Sequence, residues 1–228
     1  MEHLHNGFTL ELCDGAFPLS TDSIALSGFV RLPRQAKVLD LGAGCGTLGM
    51  LLCANDTGCT ITGIEIDEHA HRTALRNADS NHLTHRLTSI CADLRTVPSI
   101  LAPGSFHCCV SNPPYFTAKQ ASANSSARHE QLCTLEELFI AAAWAIQYGG
   151  DFFLVHKPER LSELCACATA HKLEPKRLQL LRHRPGDPIS LGLLQCRKGA
   201  KPGLTIEEAF LQEADGTPSA YYRRLYHI

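Results

Sequence analysis

The chain reads as an α/β protein, a mostly parallel seven-stranded sheet with helices on both faces, built as one domain over residues 1–228. Three observations predict it. Short apolar runs alternate with stretches of helical periodicity, the order in which parallel strands and crossover helices follow one another. One such run, Lys37-Val38-Leu39-Asp40-Leu41, passes directly into Gly42-Ala43-Gly44-Cys45-Gly46, where glycines let the backbone turn sharply and come close to a ligand. An acid, Glu65, follows ~20 residues beyond that loop, the spacing at which a carboxylate reaches ribose hydroxyls.

Size and composition agree. With 228 residues, 44% of them hydrophobic and 19% charged, the chain is long enough for one large core. A formal net charge of -2 excludes electrostatic nucleic-acid binding by the molecule as a whole, so any basic surface must be local. The 11 cysteines are odd in number, form no Cys-x-x-Cys pair and lie mostly in apolar runs. They are expected to be free thiols of a reducing compartment, which points to the cytoplasm. The pairs His69/His71 and His82/His85 lack companion ligands, so no metal is expected, and no run is long enough to span a membrane. A monomer is expected.

Taken in order, residues Phe8 to Leu12 suit a short strand, and Thr21 or Asp22 can cap a helix from Ser23 to Arg31 that Pro33 stops. The strand and glycine loop come next, then a helix through Leu48, Met50, Leu51 and Leu52. A second strand, Thr60 to Ile66, carries Glu65. A helix from about Glu68 to Asn81 leads to a third strand, Leu87 to Cys91, followed by Asp93. Asp93 is placed to bond the amino group of an adenine, or else to cap the turn that follows. The apolar run Phe106 to Ser111 is the fourth strand. After a polar stretch, 117–130, expected to be a substrate loop, Thr134-Leu135-Glu136-Glu137 is a capping box opening a helix to about Tyr148, which Gly149-Gly150 ends. A strand from Phe152 to His156, a helix from Pro158 to Lys172, and two antiparallel strands, Arg177 to Leu181 and Ile189 to Cys196, complete the sheet. Between Lys172 and Lys201 the chain is locally basic, and Arg182 and Arg184 within it are candidates for phosphate contacts. A solvated edge is the alternative.

Two features carry chemistry. Gly44-Cys45-Gly46-Thr47-Leu48-Gly49 satisfies the dinucleotide pattern, but Asp40 at the strand end would repel a pyrophosphate. It suits the cationic amino-acid end of S-adenosyl-L-methionine, which is therefore the expected cofactor. The second feature is Asn112-Pro113-Pro114-Tyr115 after the fourth strand, at the sheet edge where ligands bind. An exocyclic amine conjugated to a ring or carbonyl is a poor nucleophile. Methylating it requires acceptors for its protons, and the Asn112 side-chain oxygen and the Pro113 carbonyl can supply them. Two prolines stiffen the loop, and Tyr115 offers a face for a flat substrate.

Four stretches resemble Rossmann-type, class I S-adenosylmethionine-dependent methyltransferases that bear Asn-Pro-Pro-Tyr, and among them the bacterial tRNA(Val) adenine-N6 methyltransferases. These are Gly15 to Phe29 with Ser20-Thr21-Asp22-Ser23, Leu39 to Gly46, Val110 to Phe116, and Ser126-Ala127-Arg128-His129-Glu130. The resemblance implies Asp40, Gly42, Gly44, Gly46, Glu65 and Asp93 at the cofactor, and Asn112, Pro113, Pro114 and Tyr115 at the target amine. Residues 1–35 would contribute to the site, and Phe116 and Arg128 would lie on the substrate side. The implied substrate is a tRNA, methylated on the anticodon-loop adenine at position 37. Two alternatives stay open: methylation of a protein glutamine amide, as on a release factor, and a non-catalytic RNA-binding module on the same fold.

Overall fold

A computed structural model describes residues 1–13, 19–113 and 133–228. Pro114, Tyr115, Phe116, Arg128 and the expected substrate loop lie outside the described residues, as do 14–18.

The elements are β1 Glu2–His3, β2 Thr9–Leu10, α1 Thr21–Phe29, β3 Lys37–Leu41, α2 Thr47–Asn55, β4 Thr60–Glu65, α3 Glu68–Ser80 and β5 Leu87–Cys91. Then come α4 Val97–Ile100, β6 Phe106–Ser111, α5 Leu135–Ala145, β7 Ile146–His156, α6 Leu161–Ala170, β8 Leu173–Arg182, β9 Ile189–Lys198, β10 Thr205–Phe210 and α7 Ala220–Tyr226. Among the described residues β1 and β2 form a small antiparallel pair, and the main sheet runs β10-β8-β9-β7-β6-β3-β4-β5. β9 is antiparallel to both β7 and β8, while the remaining pairings of this sheet are parallel.

Strand alternation divides the interior into two cores. Val38, Val110 and Phe153 pack with α1, α2, part of α3 and Leu225 of α7. Leu39, Leu41, Cys109, Phe152 and Leu154 pack with Val97, α5 and α6 on the other face. Phe139 of α5 meets Phe152 edge-on at 5.3 Å, and Phe29 of α1 meets Phe153 likewise at 6.2 Å. The expected α/β class with a mostly parallel sheet is therefore present.

Besides the short elements β1, α4 and α7, which the sequence reading did not expect, it differs from the structure at two places in the sheet. The sheet has eight strands, not seven: β10 extends it by pairing parallel to β8. Its sequence, Thr-Ile-Glu-Glu-Ala-Phe, buries only Ala209 and exposes Ile206, so it lacks the apolar alternation that marks a half-buried strand. Edge strands are commonly kept short and charged in this way. The second difference is that α5 stops at Ala145 and β7 begins at Ile146, so Gly149-Gly150 lies within the strand. Phe106 pairs with Ile146 but Cys108 with Asp151, and the irregularity between them absorbs the extra residues. A Cβ at Gly150 would sit 2.5 Å from the His107 carbonyl oxygen, so glycine is required where the strands close again. The capping box is as expected: Glu137 N–H donates to Thr134 Oγ1 at 3.2 Å, and Thr134 N–H donates to Glu137 Oε2 at 2.7 Å.

Candidate active site

β3, β4, β5 and β6 all end at one sheet edge, and the loops that leave them bring most of the expected site residues together. Gly42, Gly44 and Gly46 follow β3 with φ of 77°, 55° and 82°, in the left-handed region. A Cβ at Gly42 or Gly44 would meet nothing within 4 Å, so the loop borders open space in which a ligand can lie close to backbone.

Glu65 holds that loop. Its Oε2 accepts from Gly44 N–H at 2.7 Å, and its Oε1 accepts from Asp67 N–H at 2.8 Å. Each oxygen keeps a second lone pair, so the same carboxylate can take ribose hydroxyls while it fixes the glycine backbone. Asp67 in turn caps α3, accepting from His69 and Ala70.

Asp40 is 1% exposed on β3, and among the described residues its buried Oδ2 has no hydrogen-bond partner. Burial pushes its carboxyl up to about 7, with the nearby Glu65 charge adding to the effect and the Gly49 amide opposing it. An unpartnered buried acceptor beneath an open glycine loop fits a cationic ligand. The group also sets a pH dependence. Folded, it keeps its proton to about 7; unfolded, it loses it near 3.8. Between those values the unfolded chain binds fewer protons, so this group makes stability fall as pH rises and adds no further change above about 7. Asp40→Asn should remove that component. Thermal melts from pH 4 to 7 should show the variant gaining on the wild type as pH rises; parallel curves would show that Asp40 is ionised throughout.

Asp93, after β5, takes the capping role. Its Oδ1 accepts from Arg95 N–H at 2.9 Å, and both its oxygens take the Arg95 guanidinium, which holds its carboxyl below the usual carboxylate range. An adenine amino group at Asp93 would have to share the carboxylate with Arg95.

At the end of β6, buried Ser111 donates to the Leu41 carbonyl at 2.7 Å, tying this strand's end to the start of the glycine loop. Asn112 and Pro113 follow, half-buried. The Asn112 side-chain nitrogen donates to Ser23 Oγ at 3.0 Å, which brings α1 to the site.

Sequence reasoning missed Asn77 in the last turn of α3 and Asn81, the residue that caps its end. Asn77 accepts from Glu11 N–H at 2.8 Å and donates at 2.9 Å to the Glu11 and Cys45 carbonyls. Asn81 accepts from Thr9 N–H at 2.8 Å and donates to the Thr9 carbonyl at 2.8 Å. The two carboxamides treat residues 9–11 as an added strand and hold them beside the loop. Cys13 lies against Cys45 there, with the sulfurs 3.3 Å apart. The available signal was a pair of amides at i, i+4 on a face otherwise built from Ala70, Ala74 and Ala78.

Arg182 and Arg184 are at the same sheet edge, since β8 runs parallel to the site strands, but beyond β7 and β9. Arg182 bonds the Asp187 carbonyl and pairs with Glu208 at 3.2 Å. Arg184 is exposed and bonds the neutral Gln212 at 2.8 Å. Much of the basic stretch serves the fold. Arg177 is buried, Arg197 pairs with Asp151 at 2.9 Å, and Lys198 donates to the Ala143 and Ile146 carbonyls at 2.6 and 2.8 Å, closing the end of α5. Lys176 donates to the Lys201 carbonyl at 3.0 Å. Neither a phosphate face nor a merely solvated edge describes these four.

Among the described residues no group of three or more His, Cys, Asp or Glu could hold a metal, and no helix is long and apolar enough to cross a membrane.

The model of the methyltransferase small domain matches residues 23–163. The tRNA1(Val) (adenine(37)-N6)-methyltransferase of Shewanella halifaxensis is 31% identical over 159 residues, 68% of this chain and 64% of that protein. The enzyme of the same name from Tolumonas auensis is 30% identical over 205 residues, 88% of this chain and 84% of its own. Among solved structures, a predicted O-methyltransferase from Agrobacterium tumefaciens shares the fold with a TM-score of 0.77 at 22% identity, over 91% of this chain and 96% of that one. With the glycine loop, its acid and the Asn112 turn on one sheet edge, the chain belongs to the methyltransferase small domain family and, within it, to the group of the tRNA1(Val) (adenine(37)-N6)-methyltransferases.

Proposed function

We propose that this protein uses S-adenosyl-L-methionine to methylate the exocyclic N6 of an adenine in a tRNA anticodon loop, at position 37 of tRNA(Val). The observation that carries this reading is Asn112, a carboxamide at the end of β6 whose nitrogen is engaged by Ser23, beside a glycine loop pinned by Glu65. The cofactor, when bound, supplies an electrophilic methyl group on sulfur. Asp40 would hold its cationic amino-acid end, the glycine loop its backbone-facing surface, and Glu65 its ribose hydroxyls. The Asn112 oxygen and the Pro113 carbonyl accept from the amine, which holds its nitrogen in line for attack and keeps electron density on it. Asn112 does not titrate, so the departing proton goes to solvent. Tyr115 would stack on a base splayed from its loop. The relatives' substrate supports tRNA over a glutamine amide, which has the same acceptor needs, and a tRNA substrate supports a cytoplasmic location. The described residues among those named all lie in one chain, which supports a monomer.

The test offers purified protein both tRNA and a release-factor peptide with labelled donor. Label in adenine of tRNA is expected. Label in peptide alone would move the assignment to glutamine, and none in either would favour a binding module.

Two further outcomes are expected. Glu65→Ala should weaken donor binding by about 1.5–3 kcal/mol, the range for hydrogen bonds to a charged group, with added loss from the freed Gly44 amide. Calorimetry giving unchanged affinity would remove Glu65 from the cofactor site. Arg184→Ala should flatten the salt dependence of tRNA affinity by about one unit, whereas Arg182, already paired with Glu208, should give a smaller change. An unaltered slope for Arg184→Ala would take the turn after β8 off the RNA surface.

A further inference from the structure

We propose that Asn77 is a positioning residue for the methyl donor, holding the glycine loop after β3 in the shape that receives it. The inference rests on the donor site proposed above and concerns a side chain of α3 that acts through the loop.

The loop needs support from outside itself. Three of the five residues from Gly42 to Gly46 are glycines, all at positive φ. Glycine gives up more backbone freedom on being fixed than any other residue. Two consecutive residues of the loop are bonded by side chains. Gly44 N–H donates to Glu65, the last residue of β4, at 2.7 Å. The Cys45 carbonyl accepts from Asn77 Nδ2, on α3, at 2.9 Å.

Asn77 is 2% exposed, and its partners determine its orientation. Its Oδ1 accepts from Glu11 N–H at 2.8 Å, and a backbone N–H can only donate. Its Nδ2 donates to the Glu11 and Cys45 carbonyls, both at 2.9 Å, and a carbonyl can only accept. A turned carboxamide would set its oxygen against two carbonyls and its nitrogen against an N–H, so one state is selected. α3 itself is fixed beside the loop. Asp67 caps its first turn, and Asp67 N–H is held by Glu65 at 2.8 Å. Three residues before Asn77, Ala74 lies so near that a Cβ at Gly46 would sit 3.3 Å from its own Cβ. Glu65 ahead of α3 and Asn77 near its end thus grip adjacent loop residues. Support of a binding surface by neighbours whose own positions are locked is what a preformed site requires.

Without the Asn77 amide the loop spends less time in its receptive shape, and apparent donor affinity falls by that fraction. Saturating donor restores the shape, so the loss should vanish from kcat. Calorimetry with S-adenosyl-L-methionine is the test. Asn77→Ala should weaken donor binding about 5–10-fold, the scale of one hydrogen bond, and raise donor KM alike. Its kcat and acceptor KM should stay within about twofold of wild type. In donor-free protein, amide exchange at Gly44 and Gly46 should quicken. Asn77→Asp keeps the size and the acceptor for Glu11 but removes the amide protons, so it should weaken the donor at least as much, and it serves if the alanine variant folds poorly. Arg177→Met, which deletes a buried bond to the Phe29 carbonyl of α1, is the destabilised control and should bind donor within about twofold of wild type.

Unchanged donor affinity in the Asn77 variants would overturn the proposal, as would an equal loss in Arg177→Met, which would mark a general effect of instability. A wild type that binds no donor would overturn the cofactor reading and this inference with it. A wild type that binds donor but methylates neither tRNA nor peptide would overturn only the proposed reaction, and weaker donor binding by Asn77→Ala would still support the role of Asn77.

Discussion

Asn112→Ala should lower methyl transfer by about 10²–10³-fold while leaving donor affinity nearly intact, the scale for losing one preorganised polar partner at a reacting atom. The separation of the two effects follows from geometry. Asn112 ends β6, whereas the groups that fit the donor belong to β3 and β4, the glycine loop and Glu65. Loss of the carboxamide removes an acceptor for the amine and also the link to Ser23, but it leaves the bond between Ser111 and the Leu41 carbonyl in place. The glycine loop should thus keep its shape. Single-turnover transfer together with calorimetric donor binding checks the expectation. Near-wild-type turnover would mean that the amine is held by other groups, and a parallel loss of donor affinity would place Asn112 in the cofactor site.

Arg177→Met should destabilise the protein by about 2–4 kcal/mol, combining a hydrogen bond from a charged group with the loss of its stacking on an aromatic ring. Arg177 is 9% exposed. Its guanidinium donates to the Phe29 carbonyl at 2.6 Å and to Gln195 at 3.2 Å, and it lies 3.8 Å from the centre of the Phe29 ring. The carbonyl is the last of α1, so a positive charge there also meets the negative end of the helix dipole. Methionine keeps the stem and deletes all three contacts. For a chain of this size the melting temperature should drop by about 5–12 °C. A variant with unchanged melting temperature would mean that the buried guanidinium costs as much in desolvation as its contacts return.

What the sequence disclosed about this molecule depended on how local the cause was. The site strands were legible because each is an apolar run ended by a glycine, an acid or an asparagine at the sheet edge, and the capping box at Thr134 is a purely local device. β10 was not legible, because an edge strand with one covered face and two adjacent glutamates carries no period. The end of α5 was misplaced because Gly149-Gly150, which resembles a helix stop, lies in the register irregularity between β6 and β7. The structural bonds within the basic stretch were hidden for a different reason. Arg177, Arg197 and Lys198 satisfy carbonyls and a carboxylate supplied by α1, β7 and α5, partners that no local window contains. The same limit hid Asn77 and Asn81, whose partners are Glu11 with Cys45 and Thr9, and the bond between Asn112 and Ser23.

The long reach of these contacts bears on how the chain matures as it is synthesised. Residues 9–11 leave the ribosome before their partners Asn77 and Asn81, which follow by 66 and 72 residues. Ser23 waits 89 residues for Asn112, and the carbonyl that closes α1 waits 148 residues for Arg177. Contacts of such separation form only after the intervening chain has paid its ordering entropy, which slows the steps that complete them. The glycine loop and Glu65, by contrast, are only 21 residues apart and can associate while synthesis continues. A nascent chain stalled before Arg177 has emerged thus carries every residue expected at the cofactor, but not the clamp on α1, the helix whose Ser23 bonds Asn112.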